Sequence, residues 1–169
     1  METMDAIFTR RSIRKYLPNP VDRDVIENIL KAGMNAPSAA DEQPWHFVLI
    51  DRRDLLEKIS EIHPYAKMLK AAPAAILVCG DVDVPKFTDF WIQDCSAASE
   101  NMLLAAHDLG LGAVWIGVHP VENMVREVRN LLNVPEHVVP LSIIAIGYPA
   151  EEKSGRLRYD ASRIHNNSW

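Results

Sequence analysis

Four positive charges fall within six residues in Arg10-Arg11-Ser12-Ile13-Arg14-Lys15, and no acid lies between Asp5 and Asp22. In a chain of formal net charge -5, such a block is either a solvated surface patch or an anion site. Arginine forks take phosphate oxygens two at a time, the Ser12 hydroxyl adds a contact, and Arg14 is spaced to reach a second anionic centre. Nothing aromatic or basic extends the block, which argues against a nucleic-acid surface.

A second candidate is Ala36-Pro37-Ser38-Ala39-Ala40-Asp41-Glu42-Gln43-Pro44-Trp45-His46-Phe47. Small residues and two prolines make a rigid loop whose backbone can approach a flat ligand, with Asp41 and Gln43 supplying polar contacts. The competing reading is a helix N-cap, because Ser38 and Asp41 fit the capping-box spacing. Pro44 follows too soon for a helix.

The segment Leu109-Gly110-Leu111-Gly112-Ala113-Val114-Trp115-Ile116-Gly117 is not a dinucleotide fingerprint. Its glycine spacing is wrong, and it runs helix, turn, strand where that fold needs strand, turn, helix. Gly110 and Gly112 read as turn residues. Gly117, at the end of a strand, suggests close backbone approach to a ligand. In the tail, Lys153, Arg156, Arg158 and Arg163 outnumber Glu151, Glu152 and Asp160. A disordered basic tail is one reading; in the other, Arg156 and Arg158 point to one side of an extended segment and clamp a phosphate.

The elements that must carry these groups follow from periodicity. Helices are expected at Met4–Arg10 (Met4, Ile7 and Phe8 on one face), after Asp22 as cap (Val25, Ile26, Ile29, Leu30, Met34), at 54–62, at 93–109 and at 121–132. A helical turn is expected around 66–71. Strands are expected at 45–50, 74–79, 113–118 and 138–147, the second apolar enough to be buried on both faces. Gly110 sits where a helix C-cap glycine belongs. The first two helices have no strand between them, so the pattern is α+β, a sheet layered with helices, and not a regular βαβ series.

Composition sets outer bounds. At 48% apolar and 24% charged, the 169 residues read as one globular domain. The only cysteines, Cys79 and Cys95, match no zinc or redox spacing and read as buried free thiols. The six histidines form no H-x-H or H-E-x-x-H pattern, so no metal site and no metal hydrolase is expected. The start of the chain lacks a signal-peptide apolar core, and the longest apolar run, 71–79, is far short of the ~20 residues of a membrane span. The expected location is the cytoplasm.

Taken in order, RRSIRKY, APSAADEQPWHF, a long small-residue helix, LGLGAVWIG and a basic tail resemble the nitroreductase family of flavin enzymes, over about residues 4–158. That resemblance implies a central mixed, mainly antiparallel sheet with helices on both faces, in a homodimer whose two flavins lie between the subunits. It implies a single FMN-binding domain over 1–169, with 150–169 a C-terminal extension reaching toward the partner or the flavin phosphate. Arg10, Ser12, Arg156 and Arg158 would hold the phosphate, with Arg11 in the same shell and Arg14 at the pyrimidine edge. Pro37, Ser38, Ala39, Asp41 and Gln43 would come from the partner and pack on the ring. Backbone near Ile116 and Gly117 would meet the flavin N5–O4 edge.

The activity so implied is oxidation of NADH or NADPH and reduction of a nitroaromatic, quinone or similar small acceptor by a ping-pong two-electron cycle, with the flavin carrying the chemistry and no side-chain catalyst. Trp91, Phe87, Phe90 and Tyr65 are candidates to line the acceptor face, or else are core aromatics. Alternatives are a nucleotide-binding regulatory module without turnover, and a specialised flavin enzyme performing dehalogenation or flavin breakdown. Asp41 stands where family members often carry an amide. The segment 81–88 is short where larger relatives insert helices, which implies a more open pocket.

Overall fold

The computed structural model describes the chain except Pro85, Arg156, Leu157 and the side chain of Thr88. The expectation for Arg156 therefore lies outside the described residues. Four strands, β1 (Trp45–Ile50), β2 (Ala74–Asp81), β3 (Gly112–Gly117) and β4 (Val138–Gly147), form one sheet in the order β1-β2-β4-β3. Every strand pair is antiparallel. The parallel component among the described residues is an isolated bridge between Ser12 and Ala113.

Side chains alternate across a strand, so each central strand feeds two cores. Leu77 and Cys79 of β2, with Ile143 and Ala145 of β4, face Leu56 and Ile59 of helix α3 (Arg53–Ile62) and Val128 of α5 (Glu122–Leu132). Ile76, Val78, Ile144 and Ile146 face Ile26 and Ile29 of α2 (Arg23–Met34) and Ala98 and Met102 of α4 (Trp91–Asp108). Every residue of β2 is buried, as its unbroken apolar run requires.

Three local expectations are corrected. Asp22 occupies the N-cap of α2, but its side chain makes no capping bond; its carbonyl accepts from Val25 and Ile26. Met34, at the end of the α2 stripe, is exposed: the last turn of α2 meets α4 through Gly33, against Met102, and through the Ala32 carbonyl, which accepts from Asn101. Gly112 is not a turn residue: it lies in β3, where a Cβ would come within 2.6 Å of Ile13 Cγ2, so the missing side chain admits Ile13. Gly110, by contrast, turns the chain after α4 with φ +77.

Helix α1 (Thr3–Thr9) buries only Ala6 and leaves Met4, Ile7 and Phe8 exposed. Both cysteines are free and buried, and burial pushes both thiols up to about 12, so neither is a nucleophile at neutral pH. Among the described residues no helix is long and apolar enough to cross a membrane, and no cluster of His, Cys, Asp and Glu is arranged to hold a metal ion.

Candidate functional site

The basic strip is laid along the open edge of β3. The Ile13 amide donates to the Ala113 carbonyl at 3.0 Å, and Ile13 and Tyr16 turn inward. The Tyr16 hydroxyl donates to the Ile13 carbonyl at 2.6 Å and lies 3.3 Å from the Ala145 carbonyl. Burial drives its pKa well above the ordinary phenol range, so it remains a donor. With Ile13 anchored, Ser12 and Arg14 turn outward.

The start of the tail fixes the strip from the other side. Glu151 Oε1 accepts from the Arg14 amide at 2.6 Å and the Lys15 amide at 3.2 Å. These bonds, chiefly the one from Arg14, and the Lys153 ammonium hold the Glu151 carboxyl below its ordinary range. Lys153 Nζ donates to the Ser12 carbonyl at 2.7 Å. The sequence marks Lys153 and Glu151 only as members of the charged tail, and the bonds they make to the strip were not expected.

Two cavities open along this strip. One, of about 740 Å³, is lined by Ile7, Phe8, Thr9, Arg10, Arg11, Lys153, Gly155, Arg158 and Tyr159. Arg10 is engaged by Glu100 at 3.5 Å, and Arg11 donates to the carbonyls of Phe8 and Arg10. The other, of about 700 Å³, brings Arg14 together with Ile116 and Gly117, and adds His63, Tyr65, Lys67, Met68 and Trp115. A Cβ on Gly117 would meet nothing within 4 Å, so the end of β3 presents bare backbone to open space. Of the expected acceptor-face aromatics, Tyr65 lines this cavity. Trp91 is core, packed on Gly80 and edge-on to His119, while Phe87 and Phe90 are exposed and pack on each other.

The loop 37–43 lines neither cavity. It is a single turn of 3-10 helix at Ala39–Asp41 and not a capping box, with Ala40 (φ 49), Asp41 (φ 58) and Gln43 (φ 49) in the left-handed region. Such conformations cost on the order of 1–2 kcal/mol each in a non-glycine residue. They persist because Ser38 Oγ accepts from the Gln43 amide, Asp94 Oδ1 accepts from the Ala39 amide, both at 3.0 Å, and Gln43 Nε2 donates to Asp41 Oδ1 at 2.8 Å. Asp94, buried in the first turn of α4, was not signalled by the sequence: its partner is 55 residues away.

The nitroreductase family model matches residues 7–148, from α1 through β4 to the junction with the tail. The chain belongs to the nitroreductase family. A Methanothermobacter thermautotrophicus protein provisionally named NADH dehydrogenase/NAD(P)H nitroreductase is 54% identical over all of this chain and 88% of its own length. A crystal structure under the same name from Parabacteroides distasonis superposes with a TM-score of 0.95 at 42% identity, covering 99% of this chain and 98% of that one. A nitroreductase from Desulfovibrio desulfuricans, solved in complex with FMN, matches with a TM-score of 0.85 at 32% identity over 100% and 98% of the two chains. The fold expected from the sequence, an antiparallel-rich sheet with helices on both faces, is thus that of nitroreductases.

Proposed function

We propose that this chain is an FMN-dependent oxidoreductase that takes electrons from NADH or NADPH and passes them to a small oxidised acceptor, such as a nitroaromatic or quinone, in ping-pong fashion. The observation that carries the reading is the continuity of the strip. Its Arg10 end opens on one basic cavity, shared with Lys153 and Arg158, and its Arg14 end opens on a second, beside unobstructed Gly117. A long ligand with an anionic end and a flat end fits that layout. The residues present therefore suit FMN.

Each group then has a task. Arg10, Ser12 and Arg158 hold the phosphate, with Arg11, already bonded to two carbonyls, stiffening that end. Arg156 completes the pair with Arg158 in this reading. Arg14, joined by Lys67, supplies positive charge along the ring's pyrimidine edge, where two-electron reduction deposits negative charge. Ile116 and Gly117 offer backbone alone at the reacting edge, which brings no competing base. The bound FMN supplies the redox chemistry by exchanging two electrons with donor and acceptor in turn.

The pre-shaped loop of Pro37, Ser38, Ala39, Asp41 and Gln43 lines neither of these cavities, and in this reading it completes the site of a second copy in a homodimer. The exposed apolar face of α1 is consistent with such pairing. A cytoplasmic location suits the two free thiols. The test is a visible spectrum of the purified protein followed by steady-state NAD(P)H oxidation with menadione or nitrofurazone. A yellow protein that turns over is expected. A yellow protein without turnover indicates a binding module, and a colourless one that does not take up added FMN removes the reading.

A further inference from the structure

His63 is a buried imidazole, 3% exposed, that the proposed chemistry does not use. Both of its nitrogens are engaged by backbone. Nε2 lies 2.8 Å from the Gly117 carbonyl oxygen, and Nδ1 accepts the Tyr65 amide at 3.2 Å. A carbonyl only accepts and an amide N–H only donates, so this pair of partners selects the neutral ring with its proton on Nε2. The ring is itself anchored: the His63 amide bonds to the Ile59 carbonyl as α3 ends, and Leu56 and Ile59 of that helix are fully buried.

The bond matters because of what sits at its other end. Gly117 has no side chain to fix its conformation, and its Cα borders open cavity. The peptide that follows it is pinned at both polar groups, its carbonyl by His63 and its N–H, that of Val118, by the Leu141 carbonyl at 2.9 Å. The second arm of the ring folds the turn that brings Tyr65 and Lys67 to the same cavity. We infer that His63 is a positioning residue that clamps the Gly117 backbone to the Tyr65–Lys67 turn and so fixes the separation of two walls of the cavity in which donor and acceptor meet the flavin. The inference rests on the flavin reading for its effect on turnover; the clamp itself belongs to the protein without ligand.

The test has two parts. In the apoprotein, imidazole nitrogen NMR is expected to show His63 as the Nε2–H tautomer alone at pH 7.5, and an Nδ1–H or exchanging form overturns the clamp. In the FMN-loaded protein, His63→Phe keeps a ring but neither bond, while His63→Gln keeps a donor for Gly117. With folding checked by circular dichroism, His63→Phe is expected to shift the flavin absorption band and lower kcat/KM for NAD(P)H roughly 10-fold, and His63→Gln to recover most of both. Wild-type spectra and kinetics in His63→Phe, or a Gln variant no better than Phe, overturn the inference. Should the Phe variant fail to fold, the tautomer and the Gln variant, compared with wild type, decide alone: a shifted band in a folded Gln variant with kcat/KM more than 10-fold down overturns the clamp. A wild-type chain that takes up no FMN fails the flavin reading and the turnover effect with it, and leaves the tautomer result intact.

Discussion

The strip 10–16 and the loop 37–43 are the two most informative stretches of the sequence, and the molecule builds them in opposite ways. The strip has almost no structure of its own. It is extended chain held by distant elements: β3 through Ala113, β4 through Ala145, and the tail through Glu151 and Lys153. The loop is largely self-made, with three left-handed residues tied by Ser38, Asp41 and Gln43, and its outside side-chain bonds are those of the Ala39 amide to Asp94 and of the Lys86 amide to Glu42. The strip borders cavities in its own chain, whereas the loop borders neither of them. The difference teaches that the strip depends on the whole fold being in place, while the loop is a rigid part that, in the proposed dimer, is presented to a neighbour.

That contrast can be broken by substitution. The largest effect is expected at Arg14. Arg14→Ala removes the strip's charge from the Gly117 cavity and should weaken FMN binding about 10- to 100-fold, corresponding to about 1.5–3 kcal/mol for a charged hydrogen bond, with little change in melting temperature. Fluorescence titration with FMN reads this. Gly112→Val places methyl groups where Ile13 packs and should cost about 1–3 kcal/mol in urea unfolding, weakening FMN as well because the strip moves.

In the loop, effects should be smaller and local. Ala40→Gly relieves one left-handed residue (φ 49) and should change stability by only about 1 kcal/mol, in the stabilising direction. Asp41→Asn removes a carboxylate that the proposed dimer sets beside the ring, and should raise the flavin midpoint potential; an unchanged potentiometric titration would remove that placement. The smallest effect concerns the tail. Because the Glu151 carboxyl lies below its ordinary range when folded, its contribution is present above the unfolded carboxylate pKa and is lost as pH falls through the lowered folded value. Glu151→Gln should flatten that part of the acid-side stability profile.

The sequence carried the fold well where the signal is local. Strands 45–50 and 138–147 have the bounds that their apolar runs suggest, and the φ of Gly110 is the one its position after a helix implies. It misled where a local pattern has a distant cause. Gly112 reads as a turn in LGLG, yet its reason is a methyl of Ile13. Trp91 was open between pocket and core, and it fills core space above Gly80. The contacts of His63, Asp94, Glu151 and Lys153 gave no signal, because each acts through one or two hydrogen bonds to backbone, and for all but the Tyr65 arm of His63 and the ion pair within the tail, that backbone is more than 50 residues away. Single residues at such separations leave no periodicity and no motif.

The central claim, that strip and loop from different chains make one site, is tested most directly by complementation. A strip-defective chain (Arg10→Ala with Arg14→Ala) and a loop-blocked chain (Ala39→Trp) are each expected to lose FMN. Refolded together in equal amounts, they should regain about a quarter of the wild-type sites, because half of the dimers are mixed and each mixed dimer holds one intact pair. Recovery no greater than that of the two variants measured separately, or full FMN binding by the loop-blocked chain alone, would contradict the account.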